Sequence, residues 1–391
     1  MSEKTIASMN RDRRGASWPP LEHTLKIMHS MTRVVRLSRW AVLVTALATA
    51  IVVATRHASP QGLVFPVLLA TIVAAVLAAV HHAQVVAGRV GPILGTLVLA
   101  LSVTVVEAGF VISVMVHAGP AALTLARDTV FSSLMLCCNG MLGLALLVST
   151  RREEIVRFDA FISGSAFATV ATVATLTMVL PSFTRSGPGP QFNGAQLAFA
   201  SIAAAVLYVL HAAKSTAWLH EYVHVERTAS ALTLEEHKPS RLTVIVSAAL
   251  LLVTLVTIFY GSETLAPLIE KSIREAHLPS SSIGVLIAMI VALPETLTAA
   301  RAAHAGQVQV SFNVALGSAM ASIGLTIPVV AVASAILHVP LTLGLGPKEM
   351  VLLVLTTVVG IVTVVSGRAS VLRGSLHLTI CAAYIFLAFV P

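Results

Sequence analysis

Eleven long apolar runs, each close to the length needed to cross a lipid bilayer, dominate this chain of 391 residues. They lie at approximately 38–55, 62–82, 92–117, 129–149, 158–180, 195–214, 242–260, 282–301, 309–337, 348–366 and 371–390. A helix needs about 20 apolar residues to span the hydrocarbon core. No water is present there to satisfy an open backbone, so a spanning segment must be a helix or part of a closed barrel. Barrel strands would alternate apolar and polar residues. These runs are instead continuous Ala, Val and Leu with scattered Gly, Ser and Thr, the composition of packed membrane helices. The expected fold is an all-α polytopic membrane protein. The 309–337 run is long for one crossing, and Gly317, Gly324 and Pro328 within it predict a kink or break.

Charge sets the expected orientation. Nineteen of the 25 Lys and Arg fall on the N-terminal side of the membrane, and six (Arg56, Arg127, Arg185, Lys271, Arg274 and Lys348) fall in the opposite loops. The positive-inside bias then places the N-terminus in the cytoplasm and, with an odd span count, the C-terminus outside. The net charge of +8 follows the loops and forms no basic patch interleaved with aromatics, so nucleic acid is not an expected partner. Leu21, Leu25, Met28 and Met31 recur near helical spacing beside Lys26, Arg33 and Arg36. They suggest either a basic amphipathic helix on the inner surface or a plain linker. No signal peptide is expected, since the first apolar run follows a long Arg-rich segment. Cys137, Cys138 and Cys381 all lie inside apolar runs and read as packing residues.

The organisation expected is a cytoplasmic segment at 1–37, an extra transmembrane helix at 38–55, a five-helix repeat at 62–214, a polar cytoplasmic loop at 215–241 and a second five-helix repeat at 242–390. Five spans in each half put the halves in opposite orientations. The halves also resemble each other weakly. Glu107 stands 20 residues before Arg127, Glu295 stands 22 before Gly317, and Ser132 then corresponds to Ser322. Inverted repeats with a site at their interface are a secondary-transporter architecture.

Two carboxylates carry the chemistry. Glu107 sits in LSVTVVEAGFVISVM, and Glu295 sits in LIAMIVALPETLTAARAA. A carboxylate so far from the membrane surface must be protonated, paired or bound to a cation. Pro294 removes one N–H and frees a carbonyl about a turn earlier, which adds a hard oxygen ligand beside Glu295. Both glutamates are expected near the midplane, where together they neutralise one Ca²⁺. Without the ion, repulsion and desolvation favour protonation of the same oxygens. Thr104, Ser318 and Ser322, with Ser132 and Ser133 on the paired span, are candidate supporting ligands, although each also reads as an interhelical contact. Pro294 and Gly317 are the candidate structural or gating positions. Arg127 and Asp128 read as an interfacial ion pair or helix N-terminal charge, and His377 as a polar packing contact.

Two other classes compete. His220-Glu221-Tyr222-Val223-His224 fits the HExxH pattern of zinc peptidases, in which two histidines one turn apart hold the metal. Its setting, a short polar loop with only Glu226 and His237 as third ligands, fits a cytoplasmic metal or pH sensor better. A proton-coupled organic-solute transporter would need a midplane Arg or aromatic cluster, and the spans hold none. The reading favoured is therefore not an enzyme and needs no cofactor. Its partners are inorganic cations, protons and lipid, and homo-oligomerisation is left open.

The segments GPILGTLVLALSVTVVEAG, ARDTVFSSLM, ALPETLTAARAAHAGQVQVSFNVALGSAMASIGLTIPVV, LGPKEMVLLV and SGRASVLRGSLHL together resemble the bacterial ChaA-type calcium/proton antiporters of the cation/calcium exchanger superfamily. The resemblance runs from about residue 60 to the C-terminus. It implies one extra helix followed by two inverted five-helix halves, a bacterial inner-membrane location, and roles for Glu107 and Glu295 as the ion-binding glutamates. Gly317 and Ser318 match the Gly-Ser of the second repeat. The chain departs from the pattern at SVTVVE and MIVALPE, which lack the usual Gly-Asn/Thr, and at Arg127-Asp128, where Gly-Ser is usual. These departures leave the choice among Ca²⁺, Na⁺ and K⁺ open.

Overall fold

The computed structural model describes residues 38–56, 64–90, 92–117, 124–151, 153–185, 189–229, 239–279 and 281–390, with the side chains of 92–94, 96, 114, 117 and 216–229 outside that description. Among the described residues there are eleven helices, each on one of the expected runs. They are α1 (Arg39–Thr55), α2 (Val64–Val90), α3 (Pro92–His117), α4 (Leu125–Thr150), α5 (Ala160–Ser182), α6 (Gly194–Ala229), α7 (Arg241–Glu275), α8 (Ser281–His304), α9 (Val308–Leu337), α10 (Pro347–Val365) and α11 (Val371–Phe389). Nine are long and apolar enough to cross a membrane. Of the other two, α1 is an apolar helix of 17 residues, and α3 is centred on the apolar stretch Leu97–Ser113.

The burial pattern is that of a bundle in lipid. Phe131, Phe167, Phe312 and Met135 belong to one buried cluster, formed largely by α4, α5, α9, α10 and α11. Leu68, Ile72, Phe110, Ile258 and Ile287 belong to a second, formed by α1, α2, α3, α7 and α8. Leu43, Leu47, Phe199, Ile202, Leu252, Val354 and Val358 point outward and are exposed. In water such a surface would be costly, whereas hydrocarbon is its natural solvent. Lipid offers no hydrophobic drive between helices, so small residues and hydroxyls make the contacts. Thr45 and Thr49 of α1 hydrogen-bond Thr254 and Thr257 of α7 at 3.0 and 2.9 Å. At Gly284 of α8, an added Cβ would lie 2.7 Å from the backbone of Asp128 in α4. Glycine thus lets the helix that carries Glu295 run against α4 with its backbone in contact.

Interhelical links are paired by side of the bundle. Strand β1 (Ile155–Arg157), after α4, pairs antiparallel with β2 (Arg368–Ser370), after α10, in the register Ile155↔Ser370. Arg89 at the end of α2 donates to the Pro239 carbonyl just before α7 at 2.6 Å. At the other side, Arg127 donates to the Gly344 carbonyl at 3.2 Å, and Ser282 at the start of α8 donates to the Ala388 carbonyl at 3.1 Å.

One expectation is refined and one is corrected. The 309–337 run crosses without a non-helical break, but its regular α-helix is interrupted by a π-turn over Ser322–Thr326, just before Pro328. A π-turn widens the helix by one residue. The polar segment 215–241 is not a loop throughout, because the backbone of α6 stays helical to Ala229. The amphipathic segment expected within residues 1–33 lies outside the described residues.

Candidate ion site

Glu107 is near the middle of α3 and is 2 % exposed. Three hydroxyls converge on its carboxylate. Ser133 of α4 and Ser322 of α9 donate to Oε1 at 2.8 and 2.5 Å, and Thr326 of α9 donates to Oε2 at 2.7 Å. Ser322 and Thr326 are the first and last residues of the α9 π-turn. The widened turn therefore presents two donors, four residues apart, to the two oxygens of one carboxylate. Hydrogen bonds to an ionised group contribute about 1.5–3 kcal/mol each, so three such donors offset part of the cost of burying this carboxylate.

Glu295 is near the middle of α8, which runs continuously through Pro294. Its Oε2 is buried with no hydrogen-bond partner among the described residues. It lies close enough to Glu107 for the two carboxylates to interact electrostatically. Between α3, α4, α8 and α9 runs a narrow cleft lined by Thr104, Glu107, Ser133, Cys137, Ser318 and Ser322, with Val291 and Ala292 of α8 completing the wall. It has room for roughly one water-sized particle. Thr104, 2 % exposed, faces the cleft with its hydroxyl unpartnered among the described residues. No three His, Cys, Asp or Glu side chains among the described residues are grouped so as to hold a metal ion. Oxygens other than carboxylates must therefore contribute to any coordination here.

The structure thus brings together Glu107, Thr104, Ser133, Ser318 and Ser322 in one cleft, while Glu295 is not among the residues that line it and lies within electrostatic reach of Glu107. Ser132 points elsewhere, to the Asp128 carbonyl and the Tyr384 hydroxyl, each at 2.5 Å. Gly317 is not held by close packing, since an added Cβ would meet nothing within 4 Å. Thr326 was not singled out from the sequence. Its signal is the four-residue spacing from Ser322, one turn along the face that meets α3.

Other polar residues singled out from the sequence make contacts away from the cleft. Arg127 pairs with Asp128 at 2.8 Å, and Thr124 also donates to that carboxylate, at 3.0 Å. His377 is fully buried. Its Nδ1 meets Asn139 Oδ1 and its Nε2 meets Thr363 Oγ1, both at 3.1 Å, while Asn139 donates to Thr356 at 2.9 Å. Arg373 donates to the carbonyls of Val362 and Thr363 at the end of α10. Cys137, Cys138 and Cys381 are free and buried. The backbone of His220-Glu221-Tyr222-Val223-His224 is helical, and its side chains lie outside the described residues.

A bundle of opposed five-helix halves with carboxylates near the middle of two spans is the architecture of a secondary transporter. The comparisons agree. The sodium/calcium exchanger protein family matches residues 61–216 and 246–390, and the chain belongs to that family of membrane cation exchangers. It is 35% identical over 311 residues to a "Putative ionic transporter y4hA" from Sinorhizobium fredii, covering 80% of this chain and 84% of that one. It is 30% identical over 312 residues to the "Sodium-potassium/proton antiporter ChaA" of Escherichia coli, covering 79% and 84%. Among solved structures, native YfkE superposes with a TM-score of 0.69 at 17% identity, covering 90% of this chain and all of that one. The fold is that of the inverted-repeat exchangers, with one extra helix and two five-helix halves.

Proposed function

We propose that this protein is a cation/proton antiporter of the bacterial inner membrane, with Glu107 and Glu295 as its ion and proton sites. Its cargo is Ca²⁺, or Na⁺ or K⁺, exported in exchange for H⁺ by alternating access. The observation that carries the reading is the Glu107 cradle: a buried carboxylate near the middle of its span, held by three hydroxyls from two other spans, with the second carboxylate within electrostatic reach. A cation at the cleft takes its ligands from carboxylate and hydroxyl oxygens, the hard donors that Ca²⁺ and alkali ions prefer. When the cation leaves, two buried carboxylates within electrostatic reach repel each other and lose the compensating charge, and protonation relieves both costs. The same oxygens thus hold either metal or protons, which is the condition for exchange.

The relatives support the direction of this reading, since one is named a sodium-potassium/proton antiporter and another, from Aphanothece halophytica, a Ca²⁺/H⁺ antiporter. Chain organisation follows the same scheme: an extra helix, two repeats at 62–214 and 242–390, and a cytoplasmic connection at 215–241. The Lys and Arg distribution supports a cytoplasmic N-terminus and a cytoplasmic connection. The test is proton movement in proteoliposomes when Ca²⁺, Na⁺ or K⁺ is added. Flux driven by at least one of these ions is expected, and no response to any of them would remove the proposal.

A further inference from the structure

The cleft is uneven in its donors. Counted from the start of each π-turn, the residues of α9 that reach Glu107 are Ser322 and Thr326, the first and fifth. The corresponding residues of the π-turn in α4 (Leu136–Met141) are Leu136 and Gly140, neither of which has a polar side chain. The side chain that α4 does place in the cleft from this turn is Cys137, 1 % exposed, with Ser318 among the other residues that line it. Its sulfur is within electrostatic reach of both Glu295 and Glu107. Two oxygens near it lack partners among the described residues: Glu295 Oε2 and the Thr104 hydroxyl, the latter in the cleft itself.

On this basis we propose that Cys137 is a specificity-determining residue of the transport cleft, supplying sulfur where the opposite side of the site supplies hydroxyl oxygen. The inference rests on the two-glutamate reading above. Ca²⁺ takes six to eight oxygen ligands at about 2.3–2.6 Å. A thiol is a poor ligand for so hard an ion and a good one for a soft divalent ion such as Cd²⁺. Cys137 therefore weakens Ca²⁺ relative to a cation that needs fewer oxygens, and it opens the site to thiophilic ions. Its neighbour Cys138 is equally buried but is not among the residues lining the cleft, which makes it the internal control.

The experiment uses the full-length protein in proteoliposomes and reads cation-driven proton flux for Ca²⁺ and Na⁺, each with and without Cd²⁺. Cys137→Ser exchanges sulfur for oxygen at nearly constant shape. It is expected to lower the half-saturating Ca²⁺ concentration relative to that of Na⁺ by about fivefold, the effect of roughly one added neutral polar contact. It should also abolish block by micromolar Cd²⁺. Cys137→Ala should lose the Cd²⁺ block without the gain for Ca²⁺, and it carries the test if the serine variant folds poorly. Cys138→Ser should behave as wild type. An unchanged Ca²⁺/Na⁺ ratio with Cd²⁺ block intact in Cys137→Ser, or the same changes in Cys138→Ser, would overturn the proposal. Glu107→Gln and Glu295→Gln are run alongside. If they are inactive while Cys137→Ser is unchanged, only this inference fails; if they transport normally, the two-glutamate reading itself fails.

Discussion

Replacing Glu107 by glutamine separates charge from shape at the centre of the bundle. The amide oxygen can still accept from Ser133 and Ser322, which now bond Oε1 at 2.8 and 2.5 Å. At Oε2 the amide presents N–H to Thr326, so that hydroxyl must turn from donor to acceptor, which a rotating O–H can do. Folding should therefore change little, by about 1 kcal/mol. Ion binding should change much more. A unit charge about 4 Å from a monovalent cation contributes roughly 4 kcal/mol at an effective dielectric of about 20, and about twice that for a divalent ion. If competing hydration returned two-thirds of the monovalent figure, the remaining ~1.4 kcal/mol would still be about tenfold in affinity. The variant also loses one of two proton-binding groups, so coupled exchange should cease. The assay is cation-driven proton flux in vesicles, with size-exclusion profile and thermal unfolding in detergent as folding controls. Wild-type flux with an unchanged half-saturating concentration in Glu107→Gln would refute the reasoning. Glu295→Gln should be equally inactive but at least as thermally stable as wild type, since its Oε2 has no partner to lose among the described residues and a neutral amide is cheaper to bury. Glu→Asp at either site should be milder.

Thr326→Val removes the hydroxyl that donates to Oε2 of Glu107 and should raise the half-saturating cation concentration about tenfold, whereas Ser132→Ala, which loses the Tyr384 contact instead, should leave it within about twofold. Cation-driven flux should rise with pH as protons cease to compete for the carboxylate pair, and a flat profile between about pH 6 and 9 would count against shared sites. His220→Ala and Glu221→Ala should transport normally in the same vesicles; loss equal to that of Glu295→Gln would move the site to the zinc-peptidase-like motif. Single cysteines introduced between 230 and 238 should resist an impermeant thiol reagent added to intact cells, and labelling from outside would reverse the orientation read from the Lys and Arg distribution.

The sequence alone determined what the solvent imposes. A bilayer needs about 20 apolar residues per crossing and tolerates few charges, so the spans and the two anomalous glutamates stand out without knowledge of packing. Thr104, Ser133, Ser318 and Ser322 were legible as candidates because they lie on the same runs as the glutamates or on the paired ones. What only the tertiary structure decided is which hydroxyls meet which carboxylate. Helical periodicity assumes 3.6 residues per turn, and the π-turns at Leu136–Met141 and Ser322–Thr326 break that count where the site is built. Within those turns Thr326 reaches Glu107 and Cys137 enters the cleft, while Ser132, one turn before the first of them, faces Tyr384 although spacing had paired it with Ser322. The unequal treatment of the two glutamates is likewise decided by packing. The sequence shows two similar carboxylates in two similar runs, while the contacts between helices leave one with three donors and the other with a buried oxygen that none of the described residues satisfies.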